Sequence, residues 1–474
     1  MGKNDKELLI GWSQKSITPD KPVLLSGQMY TRISKGVKDP VTVTTLALEG
    51  SGSQAILISA ELVGIPHEVQ DIVREKVAAK IPDFDPMKLV INATHTHTSL
   101  ELRQGCYPEP GDKGLSTLEV IEFFAEQTAT VAAEAWQNRS AGGISRAYSN
   151  AVIAHNRRSV FFDGSAKMYA NIDAENFSGF EGYVDHGLNI VCTWDTDKEL
   201  TGMIVNVPCP SQVTENLHEI SADYWHETRL ALRERFGSEI HILGQCAPSG
   251  DLSPHVQLNK KLEEEEMLSR LGRNQREEIA KRITSAIDWV YEACEATIQT
   301  EVEFAHVAES IELPRRMVTE AEYEQAKASL KKLEADKEAE EERVFRPRKR
   351  DQDIIKRFEN QKDNPEMAME LHVLKFNDLV MATNPFEIFL DFGLRIKARS
   401  KAAQTVLVQL ACDYAGYLPT QKAVESKLHE ADKNRPGFLG NYSAGVASNQ
   451  IGPEGGQVLV EETLKRIDTL LDDI

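Results

Sequence analysis

Five apolar runs in this chain each stop at a short segment crowded with chemically active side chains. That repetition constrains the fold more than any single motif does. The segments are Thr94-His-Thr-His, Pro208-Cys-Pro-Ser-Gln, Gly244-Gln-Cys-Ala-Pro-Ser-Gly-Asp-Leu-Ser-Pro, Asn384-Pro-Phe-Glu and Cys412-Asp-Tyr-Ala-Gly-Tyr. Each alone is compatible with an ordinary turn, because Gly, Pro, Asn and Asp punctuate chains everywhere. Together they fit sheets whose strands present functional loops at their carboxyl ends.

The sequence around these segments alternates in kind. Val41–Leu48 and Gln54–Ser59 read as strands joined by the turn Glu49-Gly-Ser-Gly. Pro66–Lys80 has helical spacing, Leu89–Ala93 is the next strand, and Ser116–Trp136 is a helix opened by a Ser116/Glu119 capping box. Strands at Gly187–Trp194 and Thr201–Val207, a helix at Ala222–Phe236 and a strand at Glu239–Gly244 follow. This intermixing predicts an α/β fold, mixed β-sheets layered with helices. Further on, Ile279, Ile283, Ile287, Val290 and Cys294 form a stripe along Arg276–Ile298, so that helix packs by one face. Thr319–Arg343 opens with a Thr319/Glu322 capping box and runs Glu- and Lys-rich, as a solvated surface helix does. Arg346-Pro-Arg-Lys-Arg reads as a short basic loop. Strands return at Leu371–Thr383 and Thr405–Ala411, and Gly456–Leu471 is an amphipathic helix. The expectation is a single domain over 1–474, with a charged helical excursion near 256–352.

With 74 acidic against 54 basic residues, the net charge of −20 repels nucleic-acid phosphates and anionic lipid at long range. No apolar stretch is long enough to span a bilayer, and Met1-Gly-Lys-Asn-Asp-Lys carries no apolar signal segment. The expectation is a cytoplasmic protein, or a secreted or periplasmic one if a leader precedes this start. Cys106, Cys192, Cys209, Cys246, Cys294 and Cys412 are scattered with no Cys-x-x-Cys pair, which argues against a zinc knuckle or a disulfide framework.

The chemistry begins at Asn92–Ser99. His95 and His97 stand two apart and share a face if the strand continues. Neutral imidazole is the commonest metal ligand, so the pair reads either as one wall of a metal site or as two solvated histidines at a strand end. A catalytic metal takes roughly three or four protein ligands and keeps one position open. His95 and Glu387 are ligands of the required types. Gly250-Asp-Leu-Ser-Pro puts a hydroxyl on a tight turn where backbone N–H groups can converge. Taken by itself, Ser253 reads as a capped turn.

The ordered set of motifs resembles the catalytic domain of the neutral (non-lysosomal) ceramidase family. The opening Ile10-Gly-Trp-Ser-Gln-Lys-Ser-Ile-Thr-Pro is similar to that family's start, and so is the following Gly-x-Met…Arg-x-x-x-Gly-Val-Lys-Asp-Pro stretch. Thr94-His-Thr-His resembles its histidine motif, Asn156-Arg157 its Asn-Arg pair, and Gly250-Asp-Leu-Ser-Pro its Gly-Asp-x-Ser-Pro-Asn signature, with His255 in place of the final Asn. Asn384-Pro-Phe-Glu resembles its Pro-Gly-Glu segment, and Tyr414-Ala-Gly-Tyr417-Leu-Pro-Thr its Tyr-x-x-Tyr-x-Thr-Thr. Gly440-Asn-Tyr442 falls where the family has a further active-site tyrosine. The resemblance runs from residue 10 to about 465.

The resemblance implies a divalent metal of the zinc type, held in that family by two histidines, a glutamate and a tyrosine. Carried over, His95, Glu387 and Tyr417 are ligands, and His97 supports them or moves protons. Ser253 is the active-site hydroxyl beside Asp251, and Arg157 and Tyr442 orient substrate or oxyanion. The chain departs from the pattern at Pro210, which stands where the second ligand histidine belongs and cannot ligate through its side chain. Cys209, Gln212, His218 and His226 are the substitutes at hand, with His226 expected one turn into a helix. The expectation is also that the accessory C-terminal β-sandwich of full ceramidases is absent. The resemblance therefore implies a metal-dependent hydrolase cleaving an amide or related acyl bond, in a soluble substrate rather than ceramide. A carbohydrate esterase or β-eliminating lyase on the same fold is the alternative, and a non-catalytic binding descendant is a third. The expected partner is a small-molecule, glycan-derived or lipid-derived substrate, with no nucleic acid and no stable membrane insertion.

Overall fold

The computed structural model describes residues 6–336, 340–430 and 442–472, so Gly440 and Asn441 of the last motif lie outside the described residues. Two mixed sheets face each other. The larger has the strand order His241–Cys246, Leu200–Val207, Gly187–Trp194, Ser140–Asn150, Leu8–Ser16, Thr42–Gly50, Ser53–Ala60, Leu89–Ala93. The smaller runs Phe304–Pro314, Glu366–Phe376, Leu379–Thr383, Gln404–Val408. Between them lies a shared core, with Leu8, Leu57, Val90, Ile204 and Leu243 from one sheet against Phe304, Leu374, Met381 and Val406 from the other.

Helices cover the outer faces. His67–Lys80 and Thr117–Gln137 pack on one part of the larger sheet, through Val73, Val77, Phe124 and Ala132. Tyr224–Phe236 and Gln275–Ala296 pack on the rest through Trp225, Leu232, Ile283 and Ile287. Leu390–Arg399 and Pro453–Asp472 cover the smaller sheet through Phe392, Ile396, Leu459 and Ile467. The result is an α–β–β–α layering, as the alternation of patterns predicts. The apolar stripe on Gln275–Ala296 is buried as expected, and the Ser116/Glu119 capping box is present.

Two regions differ from the sequence reading. The charged excursion near 256–352 is not wholly helical, because the strand Phe304–Pro314 interrupts it and forms the edge of the smaller sheet. Arg346-Pro-Arg-Lys-Arg is not a loop. It belongs to the helix Glu341–Asn360, with Pro347 inside. Proline removes one backbone donor and suggests a break. Tertiary contacts outweigh that here, since Ile354 is buried against Val318, Ala326 and Val446, and Phe358 stacks on Tyr323 at 4.3 Å.

The strands that carry the five segments come in parallel pairs: Ser53–Ala60 with Leu89–Ala93, Leu200–Val207 with His241–Cys246, and Leu379–Thr383 with Gln404–Val408. Parallel partners end at the same edge, and cross-links join the two sheets there. Ala93 N–H donates to the Leu410 carbonyl (3.1 Å), Gln409 N–H to Cys246 (3.0 Å) and Cys412 N–H to Ile91 (2.9 Å). Ser59 Oγ and Asn92 Nδ2 both donate to the Gly244 carbonyl, at 2.6 and 3.2 Å. The strand ends therefore form one platform.

Candidate active site

The strand Leu89–Ala93 is buried throughout, and the chain turns sharply just beyond it. His95 adopts φ +66°, a left-handed conformation that a residue with a Cβ rarely takes. The Val63 carbonyl, 2.7 Å from Nδ1, holds the ring. A carbonyl only accepts, so Nδ1 carries a proton and Nε2 is the nitrogen turned towards the cluster. That Nε2 lies 3.2 Å from a Glu387 oxygen and 3.3 Å from His97 Nε2. His97 is seated on Gly27, whose φ is +99° and where an added Cβ would come within 2.6 Å of the histidine. Both facts restrict position 27 to glycine.

Glu387 arrives from the other sheet. Glu387-Ile388 pairs in parallel with Tyr417-Leu418, so Glu387 and Tyr417 are direct neighbours. Burial favours the neutral acid, but His95 and Arg157 oppose it and hold the Glu387 carboxyl down at about 2. Tyr414 donates its hydroxyl to Glu387 Oε1 at 3.2 Å. Burial pushes the Tyr414 and Tyr417 phenols well above their ordinary range, so both remain O–H groups at neutral pH. Arg157 Nη2 donates to the Tyr417 hydroxyl (3.1 Å) and to the Gly250 carbonyl (2.8 Å), tying the glutamate–tyrosine pair to the serine loop. That loop approaches so closely that a Cβ on Gly250 would sit 2.2 Å from the Glu387 carbonyl oxygen.

Ser253 is fully buried, and its Oγ meets the Tyr169 hydroxyl (2.8 Å), Gln212 Nε2 (3.3 Å) and its own loop's His255 N–H (3.1 Å). Glu215 lies 3.2 Å from His97 Nδ1 and 3.2 Å from His255 Nε2. Burial works against its charge, but the two imidazoles keep its carboxyl well below the usual range. Burial in turn lowers the pKa of His97, favouring its neutral form.

The structure thus brings His95, His97, Glu387, Tyr417 and Arg157 into one contact network, with Ser253 joined to it through Tyr169 and Gln212. Tyr442 stands beside it, its ring 5.6 Å from that of Tyr417. Asp251 is turned away from this centre. It accepts the Leu390 N–H and Asn156 Nδ2, each at 2.9 Å, and so holds the loop rather than facing the cluster. His226 is not brought in. It sits on the first turn of the helix Tyr224–Phe236 and makes no polar contact with His95, His97 or Glu387 among the described residues. The Cys209 carbonyl accepts from Cys246 Sγ and the Tyr224 hydroxyl, and its thiol is directed at the Pro210 carbonyl (3.5 Å). The imidazole that meets His95 is its own neighbour, His97. Sequence reasoning missed Glu215 and Tyr169, which lie in irregular segments without periodicity or motif to single them out.

A second group is separate. Side-chain atoms of Glu370, His372 and Cys412 lie within 4.8 Å of one another. Glu370 already accepts two hydrogen bonds from Arg74, at 2.6 and 2.7 Å. His372 is engaged at both nitrogens, with Glu370 (3.1 Å) and His306 (3.1 Å). This is a filled hydrogen-bond chain, whereas His95 Nε2 meets both Glu387 and a second imidazole.

Beside the centre opens a cavity of about 910 Å³ lined in part by Glu387, Tyr414, Tyr417 and Tyr442. Its other wall is the helix Glu341–Asn360.

No family model matches the chain, and no curated protein sequence matches it significantly. Among solved structures it is similar to neutral ceramidase from Pseudomonas aeruginosa, with a TM-score of 0.69 and 16% identity over 99% of this chain and 75% of that one. A ceramidase complexed with C2 gives a TM-score of 0.66 and 15% identity, covering 99% of this chain and 76% of its own. With a TM-score of 0.69 over 99% of its length, this chain is a neutral ceramidase-like domain in fold.

Proposed function

We propose that the protein is a metal-dependent hydrolase that cleaves an amide or related acyl bond in a soluble substrate. The carrying observation is the donor set at the strand ends. His95 Nδ1 is committed to the Val63 carbonyl, and its Nε2 faces the ionised Glu387 at 3.2 Å with His97 Nε2 alongside. Two imidazole nitrogens and a carboxylate converging in a buried site are the donor types that a divalent metal of the zinc type takes, so the residues fit such an ion. His95, Glu387 and Tyr417 would hold it, with His97 as the remaining imidazole. Bound there, such an ion supplies an acidified water and polarises the scissile carbonyl.

The chain's own groups have separable roles in this reading. Glu215 orients His97, which takes and returns protons. Arg157 and the Tyr442 hydroxyl donate to the oxygen on which negative charge develops. Ser253 would contribute a hydroxyl held in place by Tyr169 and Gln212. The test is elemental analysis of purified protein followed by an amide and ester panel. A stoichiometric divalent metal and chelator-sensitive hydrolysis, both lost in His95→Ala, are expected. Protein that holds no metal after zinc loading and cleaves neither bond class refutes the reading.

A further inference from the structure

The basic run 346–350 remains unexplained by that chemistry. Its helix turns it into a wall of the active-site cavity, where Arg346, Lys349, Arg350 and Arg357 join Arg315 and Arg316, while Asp353 and Glu387 are the acidic residues of the lining. A protein of net charge −20 does not gather cations in one cavity by average composition. Lys349 pairs with Asp353 (3.3 Å) and Arg316 with Glu322 (3.2 Å), while among the described residues the partners of the other four are neutral. Arg346 donates to the Gln28 carbonyl and the Tyr107 hydroxyl, both at 2.9 Å. Arg350 meets Ser448 Oγ and Met29 Sδ. Arg357 donates to backbone carbonyls at Asn449 and Arg316, as a structural clamp does. Among the described residues none of the three has a carboxylate at ion-pair distance. A half-buried guanidinium without a counter-ion carries a desolvation cost that an incoming anion offsets. The wall is also continuous with the reaction centre: the Arg350 guanidinium lies 5.4 Å from the Tyr442 ring centre, and Tyr442 packs on Tyr417.

We propose that the cavity takes an acidic substrate, a soluble molecule whose carboxylate, sulfate or phosphate docks on Arg346, Arg350 and the adjacent cations while its acyl bond lies against Glu387 and Tyr417. The second half of this statement rests on the hydrolase reading; the first does not. Arginine suits the task because its planar fork pairs with oxyanions through two parallel hydrogen bonds.

The experiment is calorimetric titration of the full chain with a uronic-acid trisaccharide, a neutral trisaccharide of equal length, inorganic sulfate and inorganic phosphate. The acidic sugar is expected to bind and the neutral one not. Its Kd should rise at least tenfold in Arg350→Gln, and further with added salt, because exposed charge pairs are screened. The ranking of uronate, sulfate and phosphate identifies which anion the wall prefers. Lys349→Gln combined with Lys356→Gln changes exposed cations of the same wall and guards against a misfolded arginine variant. Equal affinity for acidic and neutral sugars, unchanged affinity in both variants, or capture of an RNA oligonucleotide without binding of any small acid overturns the proposal. If acids bind but no amide or ester is cleaved, the hydrolase reading alone falls. If neutral amides are cleaved with the same kcat/KM as their acidic counterparts, the acidic-substrate proposal alone falls.

Discussion

Glu370→Gln separates the filled hydrogen-bond chain from the metal-competent cluster. Glu370 is held at about 2 against an ordinary 4.5, through Arg74 and His372 and in spite of burial. That difference corresponds to roughly 3 kcal/mol favouring the charged form in the folded state. The side chain is only 14% exposed, so screening removes a minor part of it. Gln also leaves Arg74 and protonated His372 without a counter-charge, a defect that costs ~3–5 kcal/mol when both partners are buried. We expect a loss of about 3 kcal/mol in urea denaturation near pH 6. The pH dependence has a defined sign. The Glu370 contribution is complete above 4.5 and disappears as pH falls towards 2. His372 has its pKa raised to about 9 by Cys412 and Glu370 against the effect of burial, so its contribution is complete below 6.5 and disappears as pH rises towards 9. Wild-type stability from this network is therefore greatest between 4.5 and 6.5, and Glu370→Gln flattens the acid limb. Elemental analysis of the same variant after zinc loading should give the wild-type stoichiometry. A variant that keeps the stability of metal-free protein but loses its metal would refute the argument, because Glu370, His372 and Cys412 would then be the binding site.

Three other substitutions probe the centre itself. Gly27→Ala forces a methyl into His97 and a side chain into φ +99°; it should cost about 1–3 kcal/mol and abolish hydrolysis in protein whose circular dichroism is unchanged. Arg157→Lys cannot span the Tyr417 hydroxyl and the Gly250 carbonyl together, so kcat should fall ~10²–10³-fold with KM little changed in steady-state kinetics. His226→Ala should retain wild-type metal content and activity; a metal-free His226→Ala would mean that this ring reaches the cluster after all.

The residues with motif or periodicity were legible in the sequence. Leu89–Ala93 as a buried strand, the Ser116 cap, the Ile279–Ile287 stripe, and His95, Glu387 and Tyr417 as neighbours all follow from local pattern and the family resemblance. Long-range information was not. The partner at His95 is set by a left-handed turn that swings His97 alongside, and no spacing rule reveals such a turn. Glu215 comes from a stretch without regular structure. The helix Glu341–Asn360 looks like a loop because Pro347 obscures it, and the packing that sustains the helix comes from Val318, Ala326 and Val446, far away in the chain.

The acidic exterior and the basic cavity are parts of one argument. A surface of net charge −20 opposes anions at a distance, but salt screens that field within about 8–10 Å at physiological ionic strength. Inside a cavity with low-dielectric walls, nearby guanidinium groups dominate instead. An acidic ligand would be admitted only where the helix Glu341–Asn360 has gathered its cations, next to Tyr442 and hence next to Glu387. The parallel strand pairs explain why the reacting groups meet that wall at all. Every pair ends at one edge, and the sheets are stitched together there, so loops some three hundred residues apart are held against a common cavity. Reversing the wall's charge, as in Arg350→Glu, should then weaken acidic ligands while leaving zinc content unchanged, whereas a mutation at the stitched edge such as Asn92→Leu should disturb both. If Arg350→Glu removed the metal as well, wall and centre would be a single electrostatic unit, and the division of roles drawn from their contacts would be wrong.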